Sequence, residues 1–218
     1  AANRAKEAAE RGAEMVMMMP PYHGALLKAG RQEIMEHFTA VAEAAGVPIM
    51  VQDAPLSGVD LSIDLMVQMA MEISGVSYFK IETPQTADKL RALIAAGGDA
   101  IAGPFDGEES ITLIADLNAG ATGTMPSALL PDLIRPVLTH HAAGDSTAAE
   151  TQYAKILPLI NFENRQCGLR ACKAVMMEGG VITTDHVRHP LPPLPTETRT
   201  QLLDLARPLD PIALRWGP

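Results

Sequence analysis

The chain is poor in the features that announce a function at once. Cysteine is scarce: Cys167 and Cys172 are the only two in 218 residues, too few for a disulfide framework, so a reducing cytoplasm is the expected compartment. They stand five apart, off the i, i+4 spacing of stacked helical side chains. The six histidines (23, 37, 140, 141, 186 and 189) show no metal spacing either, and no metal is expected. Basic residues are outnumbered, 17 Lys and Arg against 26 Asp and Glu, for a formal charge of −9. That balance argues against nucleic acid or an anionic membrane surface as partner, since phosphate neutralisation needs clustered cations. Long apolar runs are absent as well. The longest, such as Met15 to Met19, are strand-sized and far from the ~18 residues of a membrane span. GxGxxG, Walker A, HExxH and GxSxG patterns are missing, which removes the usual signatures of nucleotide, zinc-protease and serine-hydrolase chemistry. No secretory leader pattern opens the sequence. It starts AANRAKEAAERG, without Met and without an N-cap residue, as a helix entered midway.

What is present is a repeating pattern. Short runs rich in Val, Ile and Met begin at Glu14, Pro48, Val76, Ala100 and Ala121. Helical patterns lie between them at Arg31–Ala45, Ser62–Ser74, Pro84–Ala96 and Glu108–Ala119. Ser62 is placed to cap its helix, and Gly46, Gly75, Gly97 and Gly120 to stop theirs. Strand and helix alternating without hairpin signals predict a parallel α/β sheet. Beyond Ala128 the pattern is helical, over Asp145–Asn161, Arg165–Glu178 and Glu197–Ala206, with RHPLPPLP as a proline-rich strap. The expected division is a partial (β/α) barrel over 1–142 and a helical region over 143–218. Five βα units are too few for an eight-stranded barrel, so about three strands' worth of sequence is expected upstream.

The segment VSYFKIE carries the strongest chemical signal. Strand alternation puts Val76, Tyr78, Lys80 and Glu82 on one face. Lys80 is then a lone cation at the carboxyl end of an apolar strand, where parallel α/β folds carry their active sites. A lysine there suits imine formation with a ketone: burial favours the neutral, nucleophilic amine, while a carboxylate beside it favours the ammonium. A strand-end Lys–Glu pair with no chemistry fits the spacing equally well. PIMVQDAP brings Gln52 and Asp53 to the same rim, although Asp53 also suits a turn before Pro55. PPYHG offers Tyr22 and His23. AGPFDGEES offers Gly103 and Asp106, as a ligand-approach loop or with Asp106 as an N-cap.

Together, MVMMMPPYHG, PIMVQDAPLSG, VSYFKIE, AIAGPFDGEE, ATGTM and the closing RHPLPPL resemble the dihydrodipicolinate synthase / N-acetylneuraminate lyase family of Schiff-base (β/α)8 barrels. The resemblance implies that these are strands 4 to 8 and that Lys80 forms an imine with the C2 carbonyl of a 2-oxo acid. It implies strands 1 to 3 upstream, including a Thr- or Ser-bearing loop for the substrate carboxylate. It also implies a cofactor-free, cytoplasmic homo-oligomer, a tetramer by family pattern. The chain departs from that pattern in places. Gln52 replaces the Tyr of the family's YNVP segment, His23 replaces the second Tyr of PYY, and Leu56-Ser57-Gly58 lacks the Arg that synthases place there. The joint pattern, with Glu82 and INFENRQ, resembles a dehydratase branch. The expected reaction is loss of water from a 2-keto-3-deoxy sugar acid, with Lys80, Glu82 and Gln52 catalytic and Tyr22, His23, Asp53, Gly103 and Asp106 lining the substrate. Two alternatives are retro-aldol cleavage by the same lysine and a non-catalytic remnant that binds a 2-oxo acid or a partner chain.

Overall fold

The computed structural model describes residues 1–22, 27–54 and 58–216. His23, Pro55, Leu56 and Ser57, four positions noted in the sequence, lie outside them. Contact clustering divides the chain into two compact units.

The first unit comprises residues 1–108 and 115–125. In chain order it runs α1 (Ala2–Glu10), β1 (Val16–Met18), α2 (Arg31–Ala45), β2 (Ile49–Asp53), α3 (Ile63–Glu72), β3 (Val76–Ile81), α4 (Thr86–Gly97), β4 (Gly103–Asp106) and most of α5 (Leu113–Asn118). Among the described residues the sheet is four-stranded and parallel in sequential order, β1-β2-β3-β4. Helix touches helix in the same succession, α1 to α2, α2 to α3 and α3 to α4. Val51 and Phe79, register partners on β2 and β3, are fully buried together with Phe38, Met66, Met69, Leu90 and Leu93 of the helices. Each such side chain removed from water contributes roughly 1.5–3 kcal/mol. The opposite face of the sheet carries Met50, Gln52, Tyr78 and Lys80, again paired in register.

Local signals explain some boundaries. The Ser62 hydroxyl accepts the Leu65 N–H at the start of α3, and Gly46 ends α2 in the left-handed region at φ 65°, where a Cβ would be strained. Two expectations need correction. The fourth strand lies three residues later than the run Ala100–Gly103, because Gly98–Ala100 close a 3₁₀ turn first. The run Ala121–Met125 is not an independent strand among the described residues. It makes a single isolated bridge, Asp106 to Thr124, supported by backbone bonds Thr122 N–H to Pro104 and Met125 N–H to Asp106.

The second unit comprises residues 109–114 and 126–218. It contains α6 (Pro131–Ala142), α7 (Ser146–Phe162), a π-helical turn (Glu163–Cys167), α8 (Arg170–Glu178) and α9 (Thr196–Ala206). Asp145 caps α7 by accepting the Ala148 N–H at 3.0 Å. The helix expected over Arg165–Glu178 is broken at Gly168 (φ 60°), so α8 starts at Arg170. α9 packs on both α7 and α8. No helix among the described residues is long and apolar enough to cross a membrane.

Candidate active site

The carboxyl ends of β2 and β3 build the site. Gln52 and Lys80 are register partners on adjacent strands, so their side chains leave the same face of the sheet side by side. Glu82 follows Lys80 by two residues and shares that face. Lys80 is only 7% exposed. Its Nζ lies 3.5 Å from Glu82 Oε2, and Gln52 Nε2 donates to that same oxygen at 2.6 Å. One carboxylate oxygen therefore receives an amide N–H and faces an ammonium. A hydrogen bond from the amide fixes the carboxylate's direction, and the lysine supplies the counter-charge in a place sheltered from water.

A glycine on β4 shapes the floor. A Cβ on Gly103 would stand 3.0 Å from the Tyr78 ring and 3.1 Å from the Phe105 ring. Gly103 therefore makes room for two aromatic side chains on the inner face, and Phe105 is the register neighbour of Lys80. Tyr22 is 59% exposed, and its ring packs on Gly58, whose notional Cβ would lie 2.9 Å from Cε2.

Asp53 and Asp106 face the other way. Asp53 is 1% exposed, on the helix side of β2. Lys89 of α4 lies 2.7 Å from its Oδ2 in an ion pair. Burial pushes the Asp53 carboxyl up, and Lys89 pulls it partly back. Asp106 is fully buried; its Oδ1 accepts the Glu108 N–H at 2.8 Å and its Oδ2 accepts the Thr124 hydroxyl at 2.7 Å. That is a turn closed two residues on, rather than a helix N-cap. It ties the end of β4 to the segment beside it. Lys80, Glu82 and Gln52 are thus brought together, and Asp53 and Asp106 support the scaffold around them.

One cluster escaped sequence reasoning. Within the second unit Glu163 is 6% exposed at the start of the π-helical turn. The Ser127 hydroxyl donates to its Oε1 at 2.6 Å, and the Ser127 N–H donates to Glu109 Oε2 at 2.5 Å. Burial and the Glu109 charge push the Glu163 carboxyl up to about 7, against the pull of the Ser127 hydroxyl. Its only signal in the sequence was the INFENRQ motif. Cys167 and Cys172 are free, and no group of metal-ligating side chains occurs among the described residues.

The model of the dihydrodipicolinate synthetase family matches residues 1–208. The chain belongs to that family. It is 54% identical over 216 residues to L-2-keto-3-deoxyarabonate dehydratase of Azospirillum brasilense, covering 99% of this chain and 70% of that protein. Among solved structures it resembles the chloride-inhibited dihydrodipicolinate synthase of Acinetobacter baumannii complexed with pyruvate, at 27% identity and a TM-score of 0.81, covering 94% of this chain and 71% of that one. The dihydrodipicolinate synthase of Aquifex aeolicus superposes with a TM-score of 0.86 at 22% identity, over 96% of this chain and 70% of that one. The family's (β/α) barrel is therefore the fold class, and β1–β4 are strands of that barrel. The chain spans about 70% of the length of these three proteins.

Proposed function

We propose that this protein is a hydro-lyase that removes water from a 2-keto-3-deoxy sugar acid, L-2-keto-3-deoxyarabonate to 2,5-dioxopentanoate, through an imine on Lys80. The single observation that carries the reading is the Lys80–Glu82–Gln52 arrangement, in a chain 54% identical to an L-2-keto-3-deoxyarabonate dehydratase.

The neutral Lys80 amine attacks the C2 ketone, and loss of the ketone oxygen as water gives an iminium. This acidifies the C3 protons. Glu82, 3.5 Å from the amine, takes one of them, and the electron pair rests in the enamine. The C4 hydroxyl then leaves as water, protonated by the same carboxyl, and the C3–C4 double bond forms. Tautomerisation through C5 and hydrolysis release the dioxo acid and restore the amine. Overall one water is lost with no net oxidation or reduction, the gain at C5 matching the loss at C4, so the imine itself serves as the electron sink and no cofactor is needed. Gln52 holds the Glu82 carboxylate by its 2.6 Å hydrogen bond, and Tyr22 lines the hydroxyl end of the substrate. Gly103 supports the site by admitting the Tyr78 and Phe105 rings. Asp53 and Asp106 act on substrate only through the rim they hold in shape. In the same reading the enzyme is a cytoplasmic homo-oligomer, which the unpaired cysteines and family membership support.

Retro-aldol cleavage needs a base that takes the proton of the C4 hydroxyl. At the position of the family's tyrosine stands Gln52, which has no ionisable proton. The test offers 2-keto-3-deoxyarabonate and assays separately for 2,5-dioxopentanoate and for pyruvate with glycolaldehyde. The dioxo acid should dominate. Dominance of pyruvate would make the protein an aldolase, and turnover to neither would remove the catalytic reading.

A further inference from the structure

The glycine that follows β4 touches the reactive lysine. A Cβ built on Gly107 would stand 2.8 Å from Lys80 Cγ, 3.0 Å from Lys80 Cε and 2.9 Å from the Ile81 carbonyl oxygen. Gly107 itself is buried, and its N–H donates to that same Ile81 oxygen at 2.8 Å. The sequence suggests that glycines in AGPFDGEES let backbone approach a ligand. The structure shows that here the backbone approaches the stem of Lys80.

We infer that Gly107 is a positioning residue for imine formation: its bare backbone is the wall against which the Lys80 stem is laid, and this sets where the amine points. The inference rests on the reading of Lys80 as the imine lysine. A lysine side chain has four methylenes and samples many rotamers when free. Here Gln52 and Phe105 are its register neighbours on either side, and Gly107 closes it off at Cγ and Cε. The amine is thereby left beside Glu82. A methyl group at 107 cannot be absorbed by the lysine moving alone, because the third atom in its way is backbone. Either the bond from Gly107 to Ile81 lengthens or the strand end shifts, and in both cases the Lys80 stem is displaced. Misplacing a reacting group by about an ångström can cost on the order of 10²-fold in rate.

The test measures borohydride trapping with pyruvate, as adduct formed per folded molecule, in the unsubstituted protein, in Gly107→Ala and in Gly97→Ala. Gly97 ends α4, and a Cβ there would meet the Ile101 side chain and leave Lys80 untouched. It controls for a general loss of stability. Gly107→Ala should trap at least about tenfold more slowly, whereas Gly97→Ala should trap at the unsubstituted rate for each folded molecule. Equal rates in Gly107→Ala and the unsubstituted protein would overturn the inference and leave the Lys80 imine standing. Absence of any adduct on Lys80 in the unsubstituted protein would instead overturn the functional reading, and this inference with it. Should Gly107→Ala not fold, the unsubstituted protein decides by NMR: a nuclear Overhauser contact between Gly107 Hα and the Lys80 methylenes supports the inference, and its absence overturns it.

Discussion

Gln52 donates its side-chain N–H to Glu82 Oε2, the oxygen that also faces the Lys80 amine at 3.5 Å. The amide comes from β2, where Gln52 is the register partner of Lys80, and the carboxylate from just past β3 on the same face, and the two side chains meet at 2.6 Å. An amide in that place can orient a carboxylate but cannot exchange a proton with substrate. The proton traffic of the proposed reaction therefore falls on Glu82.

Glu82→Gln should abolish that traffic while leaving the amine in place. Dehydration of 2-keto-3-deoxyarabonate is expected to fall by about 10²-fold or more, the usual scale for loss of a general acid/base. Borohydride trapping of pyruvate should persist. Steady-state assays alongside trapping separate the two, and full dehydration activity in the variant would remove Glu82 from the mechanism.

Lys89→Met should destabilise the first unit. It strips the counter-charge from Asp53, which is 1% exposed. Breaking a buried pair by removing one partner costs roughly 3 kcal/mol or more. The loss should shrink as pH falls, because Asp53, already pushed up by burial, then takes a proton and no longer needs the cation. Chemical denaturation at several pH values reads both effects. A loss that does not change with pH would show that the Lys89 stem, rather than its charge, matters.

Glu163 should make folding pH-dependent in a defined window. Its carboxyl titrates near 4.5 when unperturbed and is pushed to about 7 in the folded chain. Between those values the folded state binds more protons than the unfolded state at this group, so its contribution to stability is fully present below 4.5 and is lost as pH rises towards 7. At 1.36 kcal/mol per pKa unit, the contribution is ~3 kcal/mol. Glu163→Gln should flatten the dependence over that range in denaturation curves. An unchanged slope would mean that Glu163 is ionised in the folded protein at acid pH.

The site's centre was legible because it is local. Alternation along VSYFKIE puts Lys80 and Glu82 on one face, and β3 spans Val76–Ile81 as the pattern predicts. Gln52 arrives by register between neighbouring strands, which the βα repeat also implies. The parts that escaped depend on contacts between distant positions. Asp53 meets Lys89 across the helix layer, so its polarity points into the scaffold although QDAP reads as an active-site rim. Glu163 meets Ser127 across 36 residues, and no spacing rule connects them. α6 is not among the helices read from the sequence, and it contains two prolines. Pro131 stands in the first turn, where no backbone N–H is needed, and Pro136 is carried inside the helix.

The central claim is that Lys80 carries the substrate as an imine, and peptide mass mapping after borohydride reduction tests it most directly. With pyruvate or 2-keto-3-deoxyarabonate, the account predicts one reduced adduct per chain, on the peptide containing Lys80, and none in Lys80→Met. An adduct on Lys89, Lys155 or Lys173, or no adduct at all, would contradict it.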